Sequence, residues 1–240
     1  MGTSYSPNIV KDGLVFYQDP ANPRSYPRTG TEVHNLGTTD SMATSSLAGN
    51  GTTFVNENAG IFNLDGSDDY ITTPFYIPSS KNVSWGIWAR TDISLVDFKW
   101  LWGTSTSGGG EEWSISAFDF GSTGQGTIRG RVRSFSGSPY YTNVITTSTP
   151  SIGEWFYITV TWNGSTLKIY YNGIEENSTS CNAYHDGGRL IQTIGTYIYN
   201  AGSTKVYEWN GQIGPHHIYD RGLSASEVKQ NYNAMKARFR

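Results

Sequence analysis

The chain carries 20 Asp and Glu residues, and their spacing decides which chemistry they can do. Cleaving a glycosidic bond takes two carboxyl groups roughly 5 to 9 Å apart across one sugar linkage. On a strand that means acids at alternate positions, because residues i and i+2 share a face. No such run occurs. Glu111 and Glu112 are adjacent and so point to opposite faces, Asp119 stands alone, and Glu154 and Glu208 sit singly at strand starts. A nucleophile reading fails similarly. Cys181 and His185 are near in sequence, but a dyad needs thiol and imidazole within hydrogen-bond reach and a third group to orient the base. His216 and His217 are strand neighbours that face opposite ways, so they cannot chelate one metal together. The sequence therefore predicts no catalytic residue and a protein that is not an enzyme.

Binding residues are easier to find. Arg129, Arg131 and Arg133 alternate along one strand and share a face. That stripe reads either as a solvated basic surface or as a contact for a phosphate, an acidic glycan or an acidic protein. Trp100, Trp102, Trp113, Tyr140 and Tyr141 lie in or beside Gly/Ser-rich stretches. Sugars stack on exposed aromatic faces through their C–H patches. Tyr140 and Tyr141 follow Gly137-Ser138-Pro139 at a predicted loop tip and are the better candidates, whereas the three tryptophans suit core packing. The candidate ligand-binding set is Tyr140, Tyr141, Trp113, Arg129, Arg131 and Arg133.

The composition narrows the classes. A net charge of -3 leaves no general footprint for nucleic acid or membrane. No apolar run approaches the roughly 18 residues of a membrane span, and no basic start with an apolar segment marks a leader. Synthesis in a cytoplasm is expected. The Asn-X-Ser/Thr sequons at Asn50, Asn82, Asn163 and Asn177 are then chance in a Ser/Thr/Asn-rich chain. One cysteine excludes an intramolecular disulfide, and Cys181 is expected as a partly exposed loop thiol.

The positioning elements are mostly strands. With 28 Gly, 16 Tyr and 8 Trp but only 15% charge, the chain suits many strands joined by turns. Val83–Ala89 and Ile128–Val132 alternate with period two. Trp155–Trp162 is apolar on both faces, as a central strand would be. Asn163-Gly164 and Asn172-Gly173 flank Leu167–Tyr171 as hairpin turns. Asp65-Gly66-Ser67-Asp68 is a turn between two strands. Further strands are predicted over Gly13–Gln18, Leu190–Tyr197 and Val206–Tyr219, with Pro215 marking a bulge or an edge. Residues 36–52 read as a surface excursion. One helix closes the chain: Ser224 and Glu227 form a capping box, Leu223 and Val228 a staple, and Val228, Tyr232, Met235 and Phe239 one apolar stripe. Lys236, Arg238 and Arg240 complement its negative end. The pattern predicts one all-β domain over residues 1–240, a jelly-roll sandwich of two antiparallel sheets with one C-terminal helix.

Several segments, in this order, resemble the laminin-G-like members of the concanavalin A-like lectin/glucanase superfamily. They are Gly13–Asp19, Phe62-Asn-Leu-Asp-Gly-Ser-Asp-Asp-Tyr-Ile71, Val83–Ala89, Trp155–Trp162, Leu167–Gly173 and the terminal strand and helix. The style is similar to versions in tailed-phage and other viral structural proteins. The resemblance implies a non-catalytic capsid-decoration or tail-fibre module on a virion surface, with a cell-surface glycan, other virion proteins or further copies of itself as partners. A protein–protein adhesion module without sugar binding is the alternative, and a glycan-processing enzyme the third reading. The resemblance also implies a structural calcium at the sandwich rim, although no cofactor is required. Its usual positions fall here on Asn35 and near Gly214-Pro215, which depart from the acidic pattern. Asp65, Asp68 and Asp69, with Asp40, could supply the oxygens instead; otherwise Asp65 and Asp68 only form the turn.

Overall fold

Alternating apolar residues build two antiparallel sheets that share one interior. The computed structural model describes residues 8–38, 44–49, 51–73, 82–105, 111–118, 126–133, 141–181, 191–199 and 204–240. In chain order the strands are β1 (Leu14–Gln18), β2 (Glu32–His34), β3 (Thr44–Ala48), β4 (Thr53–Val55), β5 (Ile61–Asp65), β6 (Tyr70–Thr73), β7 (Val83–Thr91), β8 (Lys99–Ser105) and β9 (Glu111–Phe118). They continue as β10 (Thr127–Arg133), β11 (Tyr141–Ile145), β12 (Trp155–Trp162), β13 (Thr166–Tyr171), β14 (Ile174–Ser180), β15 (Ile191–Ile194), β16 (Tyr197–Tyr199), β17 (Thr204–Val206) and β18 (Asn210–Tyr219). Helix α1 (Ala225–Met235) follows, ending in a short 3-10 turn.

The first sheet runs β14-β13-β12-β7-β18-β5-β4, with β1 also paired to β18; the second runs β11-β10-β9-β8-β15-β6-β3-β2. Trp85, Ile87, Ile158, Val160, Ile169 and Ile218 from the first sheet meet Leu101, Trp102, Ile128, Val132 and Ile194 from the second. Strand β12 lies between β13 and β7 and is buried from Phe156 to Trp162, as its apolar pattern requires. At the β13–β14 turn Asn172 and Gly173 both take positive φ, 50° and 77°, the geometry that Asn-Gly supplies.

Helix α1 covers the other face of the first sheet. Ser224 Oγ accepts from Glu227 N at 3.3 Å and Glu227 Oε2 accepts from Ser224 N at 2.9 Å, completing the capping box. Arg221 clamps the same carboxylate and holds its pKa down at about 2. Val228, Met235 and Phe239 pack with Leu223, Trp88, Tyr157 and Tyr219 in a second cluster. Each buried apolar side chain of this size contributes about 1.5–3 kcal/mol. Arg238 does more than face a dipole: its guanidinium reaches Asp19 at 2.8 Å.

Three expectations change. Thr44–Ala48 pairs with β2 and β6, so the 36–52 stretch contains a strand rather than only a surface excursion. Its buried positions are Ser45 and Leu47, and Ser45 is satisfied by Gln18 Nε2 at 2.9 Å. Cys181 is buried at 2% exposure rather than a partly exposed thiol, because Trp162 Nε1 donates to its carbonyl and draws the segment inward. The predicted strand Val206–Tyr219 is interrupted at Tyr207.

Pro215 sits at a register shift between Ile213 and His216 in the β18–β7 pairing, the expected bulge. His216 and His217 take opposite faces as predicted. His216 lies in the interior against Phe16 and Trp102, while His217 lies under the helix with Nε2 at 2.8 Å from Tyr157 Oη. Gly86 makes that room, since a Cβ there would stand 2.8 Å from His217 Nε2 and 3.0 Å from Tyr157 Oη. Burial pushes the His216 pKa down to about 4 and, with His216 adjacent, the His217 pKa down to about 3.

Both histidines are thus neutral in the folded chain, whereas in the unfolded chain they titrate near 6.5. Below pH 6.5 the unfolded chain binds more protons, so stability must fall as pH drops toward 4. The slope is up to about 1.4 kcal/mol per pH unit for each histidine. Urea unfolding between pH 7.5 and 4.5 checks this; a flat stability across that range would contradict it.

Candidate functional site

The outer face of the second sheet gathers cations and aromatics. On β10, Ile128, Gly130 and Val132 face the interior; a Cβ on Gly130 would stand 2.6 Å from Val160 Cγ2 of the opposite sheet. The intervening arginines therefore face outward. The register sets Arg129 opposite Ile145, Arg131 opposite Asn143 and Arg133 opposite Tyr141 on β11. Tyr141 thus joins the arginine face, as part of a strand rather than a loop tip. Arg131 Nε donates to Asn143 Oδ1 at 2.8 Å, and its guanidinium lies 4.3 Å from the Tyr141 ring centre. Arg131, Arg133 and Tyr141 are half-buried and Asn143 is exposed. Such a cation–π pair contributes about 0.5–1 kcal/mol at an exposed site and orients both planes.

Arg129 departs from the expected surface stripe. It is 1% exposed, and its guanidinium sits 4.9 Å from the Phe98 ring centre. The ring of Phe98 covers it, so Arg129 supports the face rather than meeting solvent. Phe98 in turn meets Tyr207 edge-on at 4.7 Å. Trp100, paired with Ser116, lies on the same outer face, where Tyr197 packs against it at a tilt with ring centres 4.8 Å apart and its Nε1 donates to Thr193 O at 3.3 Å. Trp102 packs in the interior against Phe16. The register pairs Trp113 on β9 with Val132 on β10. Tyr140 lies outside the described residues. Phe98, Asn143 and Tyr207 were not among the sequence candidates. Nothing in their local pattern announces them, because the pairing of β10 with β11 and the return of the chain over β8 bring them together.

The acidic candidates meet at the β5–β6 turn. Carboxylate oxygens of Asp65, Asp68 and Asp69 lie within 4.8 Å of one another. Asp65 Oδ1 accepts from Ser67 N at 2.8 Å, the turn role expected of it. Asp69 is buried, and its Oδ2 accepts from Asp65 N at 3.0 Å. Burial raises the Asp69 pKa, and the charges of Asp65 and Asp68 add to the rise. A hard cation fits this set, because it would answer the buried carboxylate and the mutual repulsion together. The rim position implied by the resemblance does not fit. Asn35 Oδ1 is already shared by Tyr17 N and Gly37 N, each at 2.8 Å, and Asn35 Nδ2 donates to Val15 O. Gly214 carries no ligand and packs against Trp88 and Phe239. Asp40 lies outside the described residues.

Comparison with known proteins agrees with this architecture. Domain 4 of AbnA, a GH43 extracellular arabinanase from Geobacillus stearothermophilus, solved in complex with arabinotriose, superimposes with a TM-score of 0.68 at 17% identity, covering 93% of this chain and 100% of that one. The binding domain of botulinum neurotoxin DC in complex with SialylT gives 0.67 at 14% identity, covering 94% of this chain and 52% of that one. The binding domain of Paraclostridial Mosquitocidal Protein 1 gives 0.65 at 17% identity, covering 93% and 52%. The chain thus spans about half the length of the toxin domains, and at these identities the likeness is one of fold. Comparison with curated proteins gives no match. The Laminin_G_3 sequence family, described as concanavalin A-like lectin/glucanases superfamily, matches residues 65–229, which run from the acidic turn to the helix. With its two jelly-roll sheets and single closing helix, the chain belongs to that laminin-G-like family.

Proposed function

We propose that the domain binds carbohydrate without cleaving it, through the outer face of β10 and β11. The observation that carries this reading is the Arg131–Tyr141–Asn143 cluster, in which one guanidinium is held both by an amide and over an aromatic ring. Such a cluster offers hydroxyl groups donors and an acceptor beside an apolar surface, the mixture a sugar needs. The GH43 domain in complex with arabinotriose and the toxin domain in complex with SialylT share this fold and support the reading. The absence of alternating acids in the sequence supports binding over hydrolysis. A glycan array of the wild type should give hits that weaken roughly tenfold in Tyr141→Ala and Arg131→Ala, a loss of about 1.4 kcal/mol. An array without a single hit would sink the sugar-binding reading.

The viral style of the sequence places this module, in our reading, on a particle surface as a decoration or fibre component. The structural relatives named above are toxins and an arabinanase, so this placement rests on the resemblance alone. Mass measurement in solution should then find a closed trimer or larger ring; a strict monomer at high concentration would count against it.

Asp65, Asp68 and Asp69 are proposed to hold a structural calcium ion, carried by the gathering of three carboxylates around the buried Asp69. Binding to the folded state alone adds about 2.7 kcal/mol at a hundredfold excess over Kd. Calcium should raise the melting temperature of the wild type over that in chelator, and Asp69→Asn should lose the difference. No shift in the wild type would leave Asp65 and Asp68 as turn residues only.

A further inference from the structure

We infer that Tyr207 is a binding residue at the far end of the arginine face, and that the ligand is an oligosaccharide crossing several strands. This inference rests on the carbohydrate reading above and extends it. Tyr207 has φ +63°, in the left-handed region that a bulky side chain rarely enters. The cost to the backbone is held in place by neighbouring bonds: Tyr207 O accepts from Trp100 N at 2.8 Å, and Trp209 N donates to Gly195 O at 2.8 Å. Thr196 Oγ1 donates to Val206 O at 3.2 Å. None of these bonds involves the phenol, and a glycine would meet them without strain. The residue is not buried as compensation either, being 46% exposed. A strained backbone that displays an exposed aromatic ring is a feature found at ligand sites.

Tyr207 meets Phe98 at 4.7 Å, Phe98 covers Arg129, and two residues along β10 Arg131 lies over Tyr141. An aromatic–arginine path therefore leads from β11 across β10 and β9 to the start of β8. Three interstrand steps of ~4.8 Å make a path of roughly 14 Å. One sugar ring cannot contact both ends of such a path, whereas an extended chain can.

Calorimetric titration with arabinose, arabinotriose and arabinopentaose, and with the matching cello-oligosaccharides, tests this on the wild type, Tyr207→Gly and Arg131→Ala. Wild-type affinity should rise about tenfold or more with length. Tyr207→Gly should lose that gain, leave the shortest ligand unchanged, and melt no lower than the wild type. Arg131→Ala should weaken every length. Tyr207→Gly that binds like the wild type at all lengths, or that melts lower, would overturn the inference while leaving the Arg131 site standing, as would wild-type affinity independent of length. A wild type that binds no member of either series would overturn this inference and the arabinan or glucan form of the sugar-binding reading, which the glycan array judges separately.

Discussion

Burial of both faces of strand β18 is the constraint on which the rest of the molecule depends. One face carries Ile213 and Ile218 into the sandwich with His216, and the other carries His217 and Tyr219 under the helix. The bulge at Pro215 makes this possible by inserting one residue, so that Ile213 and His216 both face inward. β18 also pairs with β7, β5 and β1, so its position fixes the centre of the first sheet. Helix α1 follows as a requirement: without it, Trp88, Tyr157 and Tyr219 would stand exposed on a sheet face. Asn231 completes the seal, donating to Tyr219 Oη at 3.0 Å and accepting from Val10 N at 2.8 Å.

That division leaves the second sheet a different freedom. Its outer face has no α-helix over it among the described residues, and instead carries the short β16–β17 pair by β8, with Tyr197 against Trp100. Gly130 lets β10 approach Val160 of the facing sheet, so its arginines are carried on a strand seated firmly against the core. A site built on such a strand holds its side chains more precisely than one on a loop. The fold itself does not dictate a ligand. The chemistry lies in which residues occupy the outward positions.

Much of the framework was legible because local rules and packing agree in it. Trp155–Trp162, Asn172-Gly173, Ser224 with Glu227 and the Val228–Phe239 stripe each became the element their pattern required. What escaped depends on distant partners. Thr44–Ala48 reads as polar because Ser45 is buried through Gln18, a contact that hydrophobic patterning does not register. Arg129 reads as a surface cation because the ring that covers it belongs to Phe98, from another part of the chain. Tyr207 gives no turn signal, since its residue type opposes the conformation it holds. For the site, the outward direction of the arginines followed from alternation, whereas Tyr141, expected at a loop tip, joins them only through the pairing of β11 with β10. Asn143, Phe98 and Tyr207 needed the register and the return of the chain over β8.

The central claim is that sugar binds across the outer face of β10 and β11. Amide chemical-shift mapping with the tightest-binding glycan tests it most directly. The largest shifts should fall at Arg131, Thr142 and Asn143, extending to Tyr207. Shifts confined to the hollow lined by Asn58, Glu154 and Trp155, or to the one lined by Lys11, Arg24 and Leu36, would contradict it.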